Sequence, residues 1–376
     1  MNPPEPDASA AARGSRTRSL AASGARRATV VGAGSFGTAL AVLLARSGLR
    51  TTLQARTAEQ AAALASAREN TRYLPGVQLP AHLRVESVEA GLERADYVFL
   101  AVPSRRASEV IDTLAARGLG ARAAVVSTAK GLVAPGVPPT AVLREKLGSE
   151  RVACIGGPAH AQEMVHAGAA LVVASTEEQL ALALAHMFTR AGIVCEVSND
   201  PVGVELAGAA KNAAALAAGA TEAQGLNAAG AAAGHIFAEV WRYAEALGAR
   251  PESMIGLAGA GDLLATALAR ESRNRRAGEL LAEGVSAADI PERVGQAVEA
   301  LESVPLLARA LEQAGFEAPV TVALGRLIAG ELPLQAWVAL VRATVPPPAL
   351  WRRRPRPGFW RRLWSRLGRA NRVARR

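Results

Sequence analysis

The strongest constraint on this chain is the stretch Thr29-Val30-Val31-Gly32-Ala33-Gly34-Ser35-Phe36-Gly37, which runs directly into TALAVLLARSG. A short β-branched run ends in a full G-x-G-x-x-G, and the last glycine opens an apolar run of helical period. The glycine pattern alone is a weak signal, but its setting between a strand and a helix is what the motif requires. Glycines let the turn close and let backbone N–H groups approach a pyrophosphate, and the helix N-terminus adds partial positive charge. Gly32, Gly34, Ser35, Phe36 and Gly37 are therefore candidate cofactor-binding residues.

Short apolar runs then alternate with helical ones. RTTLQAR, ADYVFLAVPS, AAVVSTAKG, RVACIGG, ALVVAST and IVCEVS read as strands. Strands alternating with helices argue for a doubly wound, mainly parallel sheet of Rossmann type. After Asp200 the strand signals stop, and residues 201–345 read as helices only. The expected fold is α/β, a dinucleotide-binding domain over 28–200 followed by an all-helical substrate domain over 201–345. Residues 1–27, rich in Pro, Ala, Ser and Arg without apolar period, read as a disordered arm. A signal peptide is the alternative, but the apolar run after Arg27 already carries the glycine motif. Residues 346–376 form a basic Arg/Trp-rich tail.

The net charge of +10 divides unevenly. Residues 351–376 carry eleven arginines and no acid, residues 1–27 carry +3, and the body between is left with −4. A basic balance confined to the ends is no argument for a nucleic-acid-binding core. Cys154 and Cys195 lie far apart in strand-like segments and read as small buried hydrophobes of a reduced, cytosolic protein. No metal-ligand spacing is present, and no apolar run suits a membrane span.

Two local features bear on chemistry. Dinucleotide folds that prefer NAD place an acid about 20 residues past the glycines to bind the ribose 2′-hydroxyl. Here the segment is Gln54-Ala55-Arg56-Thr57. Arg56 suits a 2′-phosphate, which favours NADP over NAD, unless it is a solvated surface arginine. The second feature is GVELAGAAKNAAALAAGA over 203–220, an almost wholly small and apolar helix that holds Lys211 and Asn212. A lysine walled in by methyl groups has its pKa moved toward neutrality and can act as general acid or base. The alternative is a lysine that snorkels its head to water from the helix edge.

Taken together, the separated motifs resemble the bacterial NAD(P)-dependent glycerol-3-phosphate dehydrogenases over roughly residues 28–340. They are GAGSFGTALA, NTRYLPGVQLP, AVPS, STAKGL, GGPAHAQE, SNDPVGVELAGAAKN, GAGDLLAT, SRNRR and GQAVEA, in that order. The resemblance implies reversible hydride transfer between glycerol 3-phosphate and dihydroxyacetone phosphate, feeding phospholipid synthesis, by a cytoplasmic enzyme that is commonly a dimer. It implies Lys211 as the catalytic general acid/base. It implies substrate contacts at Lys130, Gly157, Ala159, Lys211, Asp262, Ser272, Arg273 and Asn274. Cofactor contacts are implied at Ser35, Phe36, Arg56, Lys130, Ala161, Arg273, Ala297 and Glu299. Arg273 and Asn274 serve the substrate phosphate, which a bidentate guanidinium suits. Asp262 lies near Lys211 and can hold it, with Thr266 one turn on in support; a helix N-cap is the bland reading of Asp262. Lys130 also reads as a turn lysine, and Arg275 and Arg276 as surface charges. Asn212 is expected to orient substrate or lysine. Four positions depart from the family pattern: Ala159 replaces a hydroxyl residue, His160 an aromatic, and Ala229 and His235 replace arginines.

On a helix the tail WRRRPRPGFWRRLWSRLGRANRVARR stacks Phe359, Leu363 and Leu367 in one stripe with Trp360 and Trp364, opposite the arginines. Such a segment suits an anionic membrane surface; a solvated arm is the alternative. Two further functions compete with the main one. A related reductase of another small phosphorylated or hydroxy-acid substrate is one, and a non-catalytic NADP-binding sensor is the other.

Overall fold

Strand β1 (Arg27–Val31) shows how the first layer is built. Its residues past Arg27 are buried, and successive side chains enter opposite cores, Val30 on one face and Val31 on the other. The computed structural model describes residues 26–269 and 272–345. The arm and the tail anticipated from the sequence lie outside the described residues, except for Arg26 and Arg27.

The chain continues through α1 (Ser35–Arg46), β2 (Arg50–Ala55) and α2 (Ala58–Ala67) to a small hairpin, β3 (Glu69–Asn70) and β4 (Leu74–Gln78). Then come β5 (Arg84–Ser87), β6 (Tyr97–Leu100), α3 (Ser104–Thr113), β7 (Ala124–Ser127) and α4 (Pro139–Leu147). The last nucleotide-domain elements are β8 (Val152–Gly156), α5 (Ala161–His166), β9 (Ala170–Ala174), α6 (Glu178–Arg190) and β10 (Val194–Ser198). Eight strands form one sheet in the order β10-β9-β8-β7-β6-β1-β2-β5. Every neighbouring pair is parallel except β8 with β9, which is antiparallel. Helices α1, α5 and α6 pack one face and α3 and α4 the other, so the sheet is doubly wound. The expected fold class holds. The β3–β4 hairpin, whose strands carry a Pro-Gly pair and no clean alternation, escaped the pattern reading.

The helical part begins at α7 (Pro201–Thr221) and α8 (Leu226–Ala246). It proceeds through α9 (Pro251–Ile255), a π-helical turn (Leu257–Gly261), α10 (Asp262–Leu268), α11 (Arg273–Ala282) and α12 (Ile290–Val294). It ends with α13 (Glu299–Gln313), α14 (Pro319–Ile328) and α15 (Leu334–Ala343). Helix α7 is buried on all sides, which is why its sequence shows no amphipathic stripe. Its Asp200 cap accepts from Gly203 N at 2.8 Å.

Small residues let the neighbours of α7 come close. A Cβ on Gly219 would lie 2.1 Å from Arg275 O, and one on Gly278 would lie 2.0 Å from Leu216 O. Helices α7 and α11 therefore touch backbone to backbone. On the other side, a Cβ on Gly208 would meet Lys130 Cα at 3.2 Å, so α7 also lies against the loop after β7. Glu205 ties α7 to the nucleotide domain. Its two carboxylate oxygens accept from Thr140 N at 3.2 Å each, capping the start of α4, and one also accepts from the Thr140 hydroxyl.

Candidate active site

The parallel strands β1, β6, β7 and β8 end on one side of the sheet, and the predicted residues gather there. After β1, glycine is needed at two positions for different reasons. A Cβ on Gly32 would meet Ala101 O at 2.3 Å, and one on Gly37 would meet Gly32 O at 2.0 Å. A Cβ on Gly34 would meet nothing within 4 Å. The first and third glycines thus serve the fold, while the second leaves open space over the start of α1. That space fits a pyrophosphate brought against backbone N–H groups. Ser35 and Phe36 open α1, half-buried beside it. Arg56 is exposed at the end of β2, its N–H donating to Gln60 Oε1 at 3.1 Å, and Thr57 caps α2. Residues 54–57, the end of this strand and the turn after it, contain no acid to bind a ribose diol.

The chemistry centres on Asp262. Its Oδ2 lies 2.6 Å from Lys130 Nζ and 3.6 Å from Lys211 Nζ. The carboxylate is 1 % exposed and the Lys211 side chain 7 %. Lys130 Nζ also donates to Gly157 O at 2.9 Å, which joins the ends of β7 and β8 to the first residue of α10. Burial lowers the Lys211 pKa to about 8, with the Lys130 charge acting the same way and Asp262 and Glu299 opposing. Burial would raise the Asp262 pKa, but the two lysines hold it below the ordinary carboxylate range. Lys211 is therefore a nearly neutral-poised amine inside the fold, and its head does not snorkel. Asp262 makes no N-cap bond; its carboxylate serves lysines. Asp262 Oδ1 and Thr266 Oγ1 are both buried without a protein partner, so Thr266 does not brace the carboxylate. An acceptor and a hydroxyl beside two ammonium groups suit a polyhydroxylated ligand.

Asn212 proves to be a structural hub. Its Nδ2 donates to Lys130 O at 2.8 Å and to Glu299 Oε2 at 3.2 Å, and its Oδ1 accepts from Asn274 Nδ2 at 2.8 Å. Asn274 Oδ1 in turn accepts from Ala300 N at 3.2 Å, and Lys130 N donates to Glu299 Oε1 at 3.3 Å. The two asparagines thus knit the Lys130 loop, α7, α11 and α13 together. Asn274 Nδ2 donates one of its two hydrogens within this network. Ser272 is the N-cap of α11, its Oγ accepting from Arg275 N at 3.3 Å, which leaves the O–H able to donate.

Arg273 is exposed and donates to Ala297 O at 3.1 Å and Gln296 Oε1 at 3.3 Å. Gln296 was not anticipated, although its place beside Ala297 in GQAVEA was a signal. Arg275 is no plain surface charge: it pairs with Glu222 at 2.7 Å and is three-quarters buried. Arg276 is exposed and pairs with Glu279 and Glu283.

Gly157 has φ +99°, and a Cβ there would meet Ala170 O at 2.8 Å, so the turn into α5 admits only glycine. Ala159 is buried, His160 precedes α5, and Ala161 is its first residue. Burial lowers the His160 pKa; Lys130, Asp262 and Lys211 all act on its ring, which places it beside the cluster. Ala229 and His235 are half-buried on α8. Of the cysteines, Cys154 is buried as expected and Cys195 only half so; burial raises both thiols, Cys195 to about 12. Among the described residues no cluster of His, Cys, Asp or Glu could hold a metal ion. None of the described helices is long and apolar enough to cross a membrane.

Comparison with known proteins bears on this site as a whole. Residues 27–181 match the model of the NAD-dependent glycerol-3-phosphate dehydrogenase N-terminus, and residues 200–339 match that of its C-terminus. A Thermus thermophilus protein named glycerol-3-phosphate dehydrogenase [NAD(P)+] is 41% identical over 321 residues, covering 84% of this chain and 98% of that protein. One of the same name from Deinococcus radiodurans is 40% identical over 306 residues, covering 80% and 90%. A solved glycerol-3-phosphate dehydrogenase from Coxiella burnetii superposes with a TM-score of 0.79 at 30% identity, covering 85% of this chain and 99% of that one. With an NAD(P)-type nucleotide fold, a buried lysine–carboxylate–lysine cluster and matches that run through both domains, the chain belongs to the NAD-dependent glycerol-3-phosphate dehydrogenase family.

Proposed function

We propose that this chain reduces dihydroxyacetone phosphate to glycerol 3-phosphate, and catalyses the reverse, with Lys211 as the general acid/base. The observation that carries this reading is the buried Lys211 ammonium, 3.6 Å from a carboxylate that also holds Lys130. The bound nicotinamide cofactor supplies or takes the hydride. Lys211 in its ammonium form gives a proton to the developing alkoxide, and in its amine form takes it back during oxidation. Lys130 adds fixed positive charge beside the reacting oxygen. Asp262 keeps the two ammonium groups together and offers its free Oδ1 to a substrate hydroxyl. Arg273, at the N-terminus of α11, suits the substrate phosphate.

Gly32, Gly34 and Gly37 would cradle the cofactor with Ser35 and Phe36, and Ala161, Ala297 and Glu299 border the same cleft in this reading. Arg56 favours NADP. Arg56→Glu is expected to raise KM for NADPH at least about tenfold while leaving KM for NADH within a few-fold, a loss typical of one charge-assisted phosphate contact.

Following NADPH absorbance with dihydroxyacetone phosphate tests the reaction. Wild type is expected to turn over, and Lys211→Ala to lose about 10²–10⁴ in kcat. Ala159, where the resemblance implies a hydroxyl residue, favours a second reading in which a related small phosphorylated ketone is the better substrate; the same assay run across such ketones separates the two. Binding of NADPH without any turnover would leave the sensor reading.

The enzyme reads as a cytoplasmic homodimer serving phospholipid synthesis. Leu226, 82 % exposed, and the small-residue face of Asn227, Gly230, Ala231 and Gly234 on α8 support a self-contact there. A monomer mass by light scattering would remove that part. The basic tail reads as a contact to anionic membrane, and equal liposome binding with and without residues 346–376 would dismiss it.

A further inference from the structure

The segment Gly259-Ala260-Gly261-Asp262 contains two glycines that bind nothing in the site above. Asp262 follows directly on the π-helical turn Leu257–Gly261. In that turn Gly261 N–H donates to Gly256 O at 3.0 Å, five residues back, and Asp262 N–H donates to Leu257 O. A π turn holds one residue more than an α turn, so it rotates the helix that follows by roughly 100°. Without it, the Asp262 side chain would leave α10 in another direction.

The turn depends on missing side chains. A Cβ on Gly259 would lie 2.0 Å from Met254 O, 2.6 Å from Met254 C and 2.8 Å from Met254 Cα. A Cβ on Gly256 would lie 2.4 Å from Glu252 O. By contrast, a Cβ on Gly261 would meet nothing nearer than 3.5 Å, an ordinary contact. Ala258, buried in the same turn, packs on β8: a Cβ on Gly156 would lie 3.3 Å from its Cβ. The next residue, Gly157, holds Lys130 Nζ through its carbonyl. One turn thus sits between the end of β8 that orients Lys130 and the carboxylate that joins Lys130 to Lys211.

We propose that Gly259 is a positioning residue: by admitting the Met254 carbonyl it closes the π turn that aims the Asp262 carboxylate between Lys130 and Lys211. The proposal rests on the reductase reading above and deepens it. The titratable groups around Lys211 are Lys130, Asp262, Glu299 and His160, and those around Asp262 are Lys130, Lys211 and His160. Turning the carboxylate away leaves Lys211 facing Lys130 with only Glu299 to favour its charge.

The test is the pH profile of ketone reduction with NADPH in wild type and four full-length variants, each checked for folding by circular dichroism and melting. Gly259→Ala is expected to lose on the order of 10²-fold in kcat, the scale of an ångström-size misplacement. Its alkaline limb moves to lower pH than in wild type, because the Lys211 ammonium has lost its carboxylate. Gly261→Ala stays near wild type in both. Gly259→Ala added to Asp262→Asn costs little beyond Asp262→Asn alone. Should Gly259→Ala not fold, Gly256→Ala, whose methyl meets a single carbonyl, carries the same expectation. The proposal is overturned by a folded Gly259→Ala with wild-type kcat and limb, by equal damage from Gly261→Ala, or by full additivity with Asp262→Asn. A wild type inactive on dihydroxyacetone phosphate overturns the reductase reading instead.

Discussion

Lys211 draws its chemistry from what surrounds it. Methyl groups of α7 remove water, which lowers its pKa to about 8, and Lys130 pushes in the same direction. Asp262 opposes both and keeps the ammonium form populated at neutral pH. Reduction needs the ammonium, so its rate is expected to fall as pH rises through about 8. Oxidation needs the amine, so its rate is expected to rise through the same interval; stopped-flow rates of hydride transfer in both directions check the sign. A reduction rate flat from pH 6 to 10 would dismiss Lys211 as the titrating group. At this scale the sequence was informative wherever a residue type was out of keeping with its run. An ammonium in a stretch of alanines is conspicuous. Asn212 and Asn274 were conspicuous too, but the sequence could not say that they bond to each other. A contact 62 residues apart depends on how α7 and α11 meet, and no local pattern carries that information.

The meeting of α7 and α11 is decided by two glycines. Gly219 and Gly278 let backbone approach backbone, and Ser272, Arg273 and Asn274 ride on the start of α11. Gly278→Ala is expected to destabilise the protein by about 1–3 kcal/mol through overpacking. It should also raise KM for the phosphorylated substrate more than for NADPH, because α11 shifts while β1 does not. Gly120→Ala, where a Cβ would meet nothing nearer than 3.9 Å, is the control and should hold its melting temperature. Elements of this kind were legible to different degrees. The strand–glycine–helix opening and the later change to helices alone could be read directly, because period and punctuation both mark them. The β3–β4 hairpin and the π turn could not. The first has a two-residue strand, and the second is a one-residue change of phase that leaves composition untouched.

Across the whole molecule, the two domains are joined by α7, and Glu205 is one of the buried polar links between them. Burial raises its pKa to about 7, against the stabilising bonds from Thr140 and Ser127. The sign follows from proton counts. Between pH about 4.5 and 7 the folded protein keeps a proton that the unfolded chain has released, so stability declines as pH rises across that window. The decline is on the order of 3 kcal/mol. Glu205→Gln, which imitates the protonated acid, is expected to flatten it; denaturant titrations at pH 5 and pH 7.5 measure the difference. An undiminished slope in Glu205→Gln would assign the decline to other groups. The motifs gave this scale its order along the chain, though not the reversal at β9. That antiparallel strand turns β9 and β10 over, so the chain leaves the sheet at the edge away from the cofactor motif. It then returns as a rod, and Lys211 arrives ten residues along α7, about 15 Å from its start. A reactive group delivered in mid-rod is fixed as firmly as a keel, so a change of preferred ketone is expected to come from the adjustable rim, residues 158–161 and the mouth of α11, while the proton donor stays where it is.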